Sequence, residues 1–167
     1  DAAVRVVLGT HELRRYAGEA YLLPLSADPP GGLERRWDRK RTCALPELGG
    51  VLRFARAEGA GLKQGLIRNK DVFIRLRQGG EKLRLLATGS TRSLKNLLQE
   101  ARMPPWERER LPLVYCGDTL VVVPGLGVAS AWQAGAGDVG WTITWQRKGQ
   151  TTCAGGVAMS GAALQKK

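Results

Sequence analysis

Apolar and polar positions alternate along most of this chain, and the alternation predicts short strands. Val4-Arg-Val-Val-Leu8 reads as a strand, turned by Gly9-Thr10. Glu12 to Tyr16 and Glu19 to Leu23 read as two more, joined at Ala17-Gly18. Asp28-Pro29-Pro30-Gly31-Gly32 is a loop signal. After the turn at Leu45 to Gly50, Val51 to Phe54 resumes as a strand, and the glycine-bearing stretch 57–66 fits no template. In Val72 to Arg77, the residues Val72, Ile74 and Leu76 alternate with Phe73, Arg75 and Arg77, which places Arg75 and Arg77 on one face. Gln78-Gly-Gly-Glu81 is expected to turn this strand back onto a partner, Lys82 to Leu86. Later strands are Leu113 to Tyr115, Thr119 to Val123, a short one after the bend at Gly125–Val128, and Trp141 to Trp145.

The period changes once. Leu94, Leu97, Leu98 and Ala101 fall at i, i+3, i+4 and i+7, predicting a helix over 91–102 capped by Ser90, Thr91 or Ser93 and ended by Met103-Pro104-Pro105. Trp106 to Arg110 reads as a short second helical turn. Many short strands with one main helix make an α+β domain of mostly antiparallel strands rather than an alternating βαβ one. Residues 1–148 read as that domain. Residues 149–167, small, polar and Gly/Ala-rich, read as a flexible tail or a non-native remnant. The chain lacks an initiator Met and a signal peptide, and a piece of a longer protein is expected. No run of about 18 apolar residues occurs, so no membrane-spanning helix is expected.

Charge narrows the partner. The 167 residues include 26 Lys and Arg against 15 Asp and Glu, a net charge of +11, with a pI near 10.2. Such a domain repels itself unless an anion accompanies it, and nucleic acid is the commonest such anion. An anionic membrane surface, or charge that only confers solubility, are the alternatives. Arg outnumbers Lys, which favours planar, bidentate phosphate contacts.

Catalytic and metal chemistry find little support. Cys43, Cys116 and Cys153 have neither metal nor disulfide spacing, and the one histidine, His11, lies in a strand-like stretch. Gly135-x-Gly137-x-x-Gly140 leads into a strand rather than opening a helix, so it reads as a loop and not as a dinucleotide site. Glu100, Glu107 and Glu109 neighbour arginines and read as solvated ion pairs.

The stretch Arg75-x-Arg77-x-Gly79-Gly80-Glu81-Lys82-Leu83 is followed by Leu94-Lys95-Asn96-Leu97-Leu98-Gln99-Glu100, Met103-Pro104-Pro105-Trp106-Glu107-Arg108 and Leu111-Pro112-Leu113-Val114-Tyr115. Gly117-Asp118-x-Leu120 and Pro124-Gly125-Leu126 complete the pattern, and Leu8-Gly9 with Leu13-Arg14-Arg15-Tyr16 extends it upstream. The pattern resembles the C-terminal domain of tRNA(Ile)-lysidine synthetases over about residues 4–147. The resemblance implies a small α+β domain, also seen in part of the phenylalanyl-tRNA synthetase β subunit. It implies a parent ligase, cytoplasmic and acting in tRNA modification. That parent's separate catalytic domain binds ATP (with Mg) on a Ser-Gly-Gly-x-Asp-Ser loop and joins lysine to the wobble cytidine of tRNA(Ile) bearing a CAU anticodon. That loop is missing here, so this chain is expected to hold no cofactor and to grip tRNA, towards its acceptor stem. The basic segment 34–41 and the tail after 148 depart from the pattern.

The candidate tRNA contacts are Arg75 and Arg77 on the strand, Lys82 and Arg84 beyond the turn, Arg92, Lys95 and Arg102 on the polar helix face, and Arg108 and Arg110 after the prolines. Phosphate contacts of this kind grip without choosing sequence. The bland alternatives are solvated faces and, for Arg77, a bridge to Glu81. Trp106 is expected to lock the helix end onto the core. Trp37, among Arg35, Arg36, Arg39, Lys40 and Arg41, either stacks on a base or pins its loop. The rival functions are a protein-interaction domain like that of the phenylalanyl-tRNA synthetase β subunit, and a self-association domain.

Overall fold

The computed structural model describes residues 4–148 and the backbone of 162–163. The rest of the expected tail lies outside the described residues. The chain forms two compact units, residues 1–28 with 153–167, and residues 29–152. Their boundary falls at the Asp28-Pro29-Pro30 loop.

The first unit is an antiparallel meander of β1 (Arg5–Leu8), β2 (His11–Tyr16) and β3 (Glu19–Pro24), with Ala162–Ala163 adding a short fourth strand beside β3. Its turns use left-handed Gly9 and the pair Ala17-Gly18. In the register Arg5 sits opposite Arg14, a like-charge pair that would repel. Glu12, 4% exposed, resolves it by accepting from Arg5 Nε at 2.6 Å and from Arg14 Nε at 2.9 Å. Burial pushes the Glu12 carboxyl up, but the hydrogen bonds and charges of Arg14 and Arg5 outweigh it and hold the group below the usual carboxylate range.

The second unit begins with β4 (Glu34–Arg36), β5 (Thr42–Leu45), a 3-10 turn at Pro46–Leu48, β6 (Gly50–Glu58), β7 (Leu62–Lys63) and the one-turn helix α1 (Gln64–Ile67). It continues with β8 (Val72–Arg75), β9 (Lys82–Leu83), β10 (Arg92–Ser93), α2 (Leu94–Glu100) and α3 (Pro105–Arg108). It closes with β11 (Leu113–Cys116), β12 (Thr119–Val123), β13 (Gly127–Val128) and β14 (Val139–Arg147). All its pairings are antiparallel, in a sheet ordered β13-β12-β11-β8-β4, a sheet ordered β5-β6-β14-β7 and a ribbon β9-β10. This is the α+β architecture expected from the alternating pattern.

Strand periodicity builds the core. Leu52 and Phe54 of β6, Ile143 of β14, Leu45 and Leu62 face Val72 and Ile74 of β8, Val114 and Cys116 of β11, and Val122, forming one buried cluster between the two sheets. On the other face of the five-stranded sheet, Leu94, Leu97 and Leu98 of α2 pack on Leu113, Leu120 and Val123. A register shift between Val114 and Tyr115 re-aims β11 against β12. Gly140 lets β14 lie against the Ala60 backbone, in space a Cβ would fill. Gly140 is thus a packing glycine at the start of β14, whereas a Cβ at Gly137 would meet nothing within 4 Å.

Three local expectations are corrected. The helix begins at Leu94 rather than near 91, because Arg92-Ser93 pairs with Lys82-Leu83 before Ser93 caps it by accepting from Asn96 N at 3.2 Å. Residues 82–86 do not return along β8, whose two edges are taken by β4 and β11. Segment 34–41 is not a detached basic loop: Glu34 to Arg36 form an edge strand, and Trp37 is 3% exposed, stacked on Phe54 at 4.2 Å with its Nε1 donating to Lys40 O at 2.8 Å. Trp37 therefore pins its segment and offers no face to a base.

Candidate nucleic-acid interface

Which cations can meet an anion depends on what already neutralises them. Arg75, expected to face a ligand, is occupied. Its Nε donates to Glu34 Oε2 at 2.7 Å and its Nη1 to Gly117 O at 2.9 Å, with Asp118 at 3.6 Å. Its guanidinium also lies 4.9 Å over the Phe73 ring and 5.2 Å over that of Tyr115. The side chain is 16% exposed and ties β4, β8 and β11 together. Arg77 lies 4.0 Å from Glu81, itself held by Gln78 N and Gly79 N across the turn.

Arg108 and Arg110 are corrected more sharply. They are 8% and 9% exposed, and Arg108 Nε donates to Met103 O at 2.5 Å. The chain after the double proline buries both, along with Trp106, which is 5% exposed. Neither arginine is presented to a surface ligand here.

The remaining candidates are exposed around the β9–β10 ribbon and α2. Arg92 is bound by both oxygens of Glu100, which holds the Glu100 carboxyl below its usual range. Arg84 donates to the Leu86 and Ala87 carbonyls, which use its donors without neutralising its charge. Lys82, Lys95 and Arg102 are exposed, and none forms an ion pair among the described residues. Lys82 lies opposite Ser93, one residue from the start of α2. Arg102 follows the helix at φ 53, with Met103 N closing onto Leu98 O at 3.1 Å, so the chain turns sharply there and the side chain stays exposed. The structure thus leaves Lys82, Arg84, Lys95 and Arg102 exposed on β9, on α2 and just beyond them, and takes Arg75, Arg77, Arg108 and Arg110 into its framework.

In the basic segment, Arg35 reaches Glu47 at 2.7 Å, Arg36 reaches Asp71 at 2.6 Å, and Arg39 caps the end of α1 through the Ile67 and Lys70 carbonyls. Exposed cations that the sequence pattern did not single out include Arg53 and Lys148, on and beside the β5-β6-β14-β7 sheet. Arg53 is legible in principle, because it alternates with buried Leu52 and Phe54. No group of three or more His, Cys, Asp or Glu able to hold a metal occurs among the described residues. No helix among them is long and apolar enough to cross a membrane.

Comparison with known proteins agrees with the fold. Residues 72–145 match the family model described as the TilS substrate C-terminal domain. The chain is 34% identical over 145 residues to the tRNA(Ile)-lysidine synthase of Nitrosomonas europaea, covering 87% of this chain and 32% of that protein. It is 36% identical over 138 residues to that of Coxiella burnetii, covering 82% and 30%. The chain thus spans about a third of the length of these curated relatives. Among solved structures, a TilS C-terminal domain superposes with a TM-score of 0.53 and 24% identity, covering 69% of this chain and 98% of that one. This likeness bears on the fold alone.

Proposed function

The chain belongs, through residues 72–145, to the family of TilS substrate C-terminal domains, and on that premise we propose that it is the tRNA-gripping domain of a cytoplasmic tRNA(Ile)-lysidine synthase. It holds tRNA(Ile) with a CAU anticodon, towards the acceptor stem, while a separate domain uses ATP, Mg and lysine on the wobble cytidine. The sequence has no Ser-Gly-Gly-x-Asp-Ser run, so its own residues do not fit the ATP of that reaction. Its part is binding and orientation.

The observation that carries this reading is that Lys82, Arg84, Lys95 and Arg102, on and beside β9 and α2, are exposed and form no ion pair among the described residues, on a chain of net charge +11. Its rigid support is α2, anchored by Leu94, Leu97 and Leu98. Cations on a fixed helix and ribbon suit a duplex held by shape and phosphate rather than by base edges.

The test is a charge-removed variant, Lys82→Gln, Arg84→Gln, Lys95→Gln and Arg102→Gln together. Releasing four phosphate contacts changes the log–log salt slope of tRNA binding by about 3 to 4. Arg108→Gln, by contrast, lowers stability and leaves the slope unchanged. An unaltered slope in the fourfold variant refutes this surface.

A further inference from the structure

The outer face of the β5-β6-β14-β7 sheet carries none of those four cations, yet it carries a cavity of about 510 Å³ at one end. Strand alternation builds it. Leu52 and Phe54 enter the core, so Val51 and Arg53 take the opposite face, and the register sets Ala44, Val51 and Gln146 in one cross-strand row and Thr42, Arg53 and Thr144 in the next. Ala44, Val51 and Pro46 supply an apolar floor, and Arg53 and Lys148 supply the charge. The volume falls within the range of small-ligand sites.

The electrostatics are one-sided. Among the described residues, no Asp or Glu lines the cavity. Arg53 Nε donates to Gln146 Oε1 at 2.7 Å, which holds the guanidinium while using one of its five donors. Neither Arg53 nor Lys148 forms an ion pair among the described residues. Glu47, on the adjoining 3-10 turn, is bound by Arg35, and residues 149–167 contain no Asp or Glu. An apolar floor beside a guanidinium and an ammonium matches one anionic phosphate joined to a flat, weakly polar body.

We propose that this cavity binds a single unpaired nucleotide of RNA, with its phosphate on Arg53 and Lys148 and its ribose and base over Ala44, Pro46 and Val51. The inference rests on the RNA-binding reading above and adds a second, separate contact. No aromatic ring of the described residues lines the floor, so the base gains little stacking and the contact tolerates any base.

The test is an amide NMR titration of the full chain with a single-stranded RNA tetranucleotide, with inorganic phosphate and with a blunt RNA duplex. The tetranucleotide is expected to shift the amides of Ala44, Val51, Arg53, Gln146 and Lys148 at concentrations where phosphate alone does not. The double variant Arg53→Gln, Lys148→Gln weakens the tetranucleotide about tenfold or more and the duplex by less than about twofold. Both changes are on the surface, and an unchanged thermal midpoint verifies folding. Arg53→Lys, which keeps the charge, retains most of the tetranucleotide affinity. The proposal is overturned if the tetranucleotide shifts only the amides around α2, if phosphate alone gives the same shifts, or if the double variant binds it as before. In those cases duplex binding leaves the RNA reading standing, whereas loss of both ligands in the unaltered chain removes both.

Discussion

Replacing Gly140 by alanine adds one methyl group and is expected to unfold a sheet edge. Gly140 pairs with Ala57 on one side and with Lys63 on the other. A Cβ there falls far inside van der Waals contact distance of the Ala60 carbonyl oxygen, 2.9 Å from Ala134 Cβ and 3.0 Å from the Ala60 carbonyl carbon. Ala60 is backbone and cannot swing aside as a long side chain would. Relief therefore requires β14 to move off the chain segment leading into β7, with which it pairs at Gly140↔Lys63 and Trp141↔Leu62. Overpacking of this kind costs about 1–3 kcal/mol, and a backbone neighbour puts it at the upper end or beyond. The internal comparison is Gly65→Ala, in α1, where a Cβ meets nothing within 4 Å. There alanine restricts the unfolded chain and is expected to stabilise by about 0.4–1 kcal/mol. Urea unfolding followed by circular dichroism gives both values, and amide exchange at Leu62 and Lys63 localises the damage. Equal effects of the two substitutions, or a Gly140→Ala protein within about 0.5 kcal/mol of the parent, would refute the close approach.

Other outcomes follow from the packing and the charges. Leu98→Ala empties a fully buried position between α2 and the sheet and is expected to cost about 2–5 kcal/mol by urea unfolding. Arg108→Gln loses the bond to the Met103 carbonyl inside the helix end and is expected to cost about 1–3 kcal/mol. In the meander, Glu12 is held below its ordinary value of 4.5, so its stabilisation is present above that pH and is lost as pH falls through the lower, folded value. Amide exchange of β2 measured against pH is expected to show acid loosening in the parent protein and a flatter profile in Glu12→Gln; identical profiles would contradict this.

The elements that sequence disclosed are those whose evidence is local. Leu94, Leu97 and Leu98 set the face of α2, and Thr119 to Val123 appears with its predicted ends, because each pattern reports burial within its own segment. What failed depended on distant partners. Arg75 reads as a free strand cation until Glu34, 41 residues earlier, pairs with it. The ribbon that displaces the start of α2 joins Lys82 to Ser93, and the hairpin expected after β8 is pre-empted by β4 and β11 competing for its edges. Arg108 and Arg110 look like surface charges in sequence, and only the fold after Pro104-Pro105 turns them inward. For the same reason the candidate interface kept the positions around α2 and lost those fixed by tertiary pairing.

The most direct test of tRNA gripping is fluorescence anisotropy of the whole chain with labelled tRNA(Ile) bearing a CAU anticodon, titrated at several salt concentrations beside its acceptor-stem minihelix and an unrelated duplex. A stem-gripping domain binds the minihelix nearly as well as the tRNA and better than the unrelated duplex, with a log–log salt slope of about −3 to −4 for the four exposed cations around α2. An absence of RNA binding even at low salt, or affinity indifferent to salt, would contradict that role.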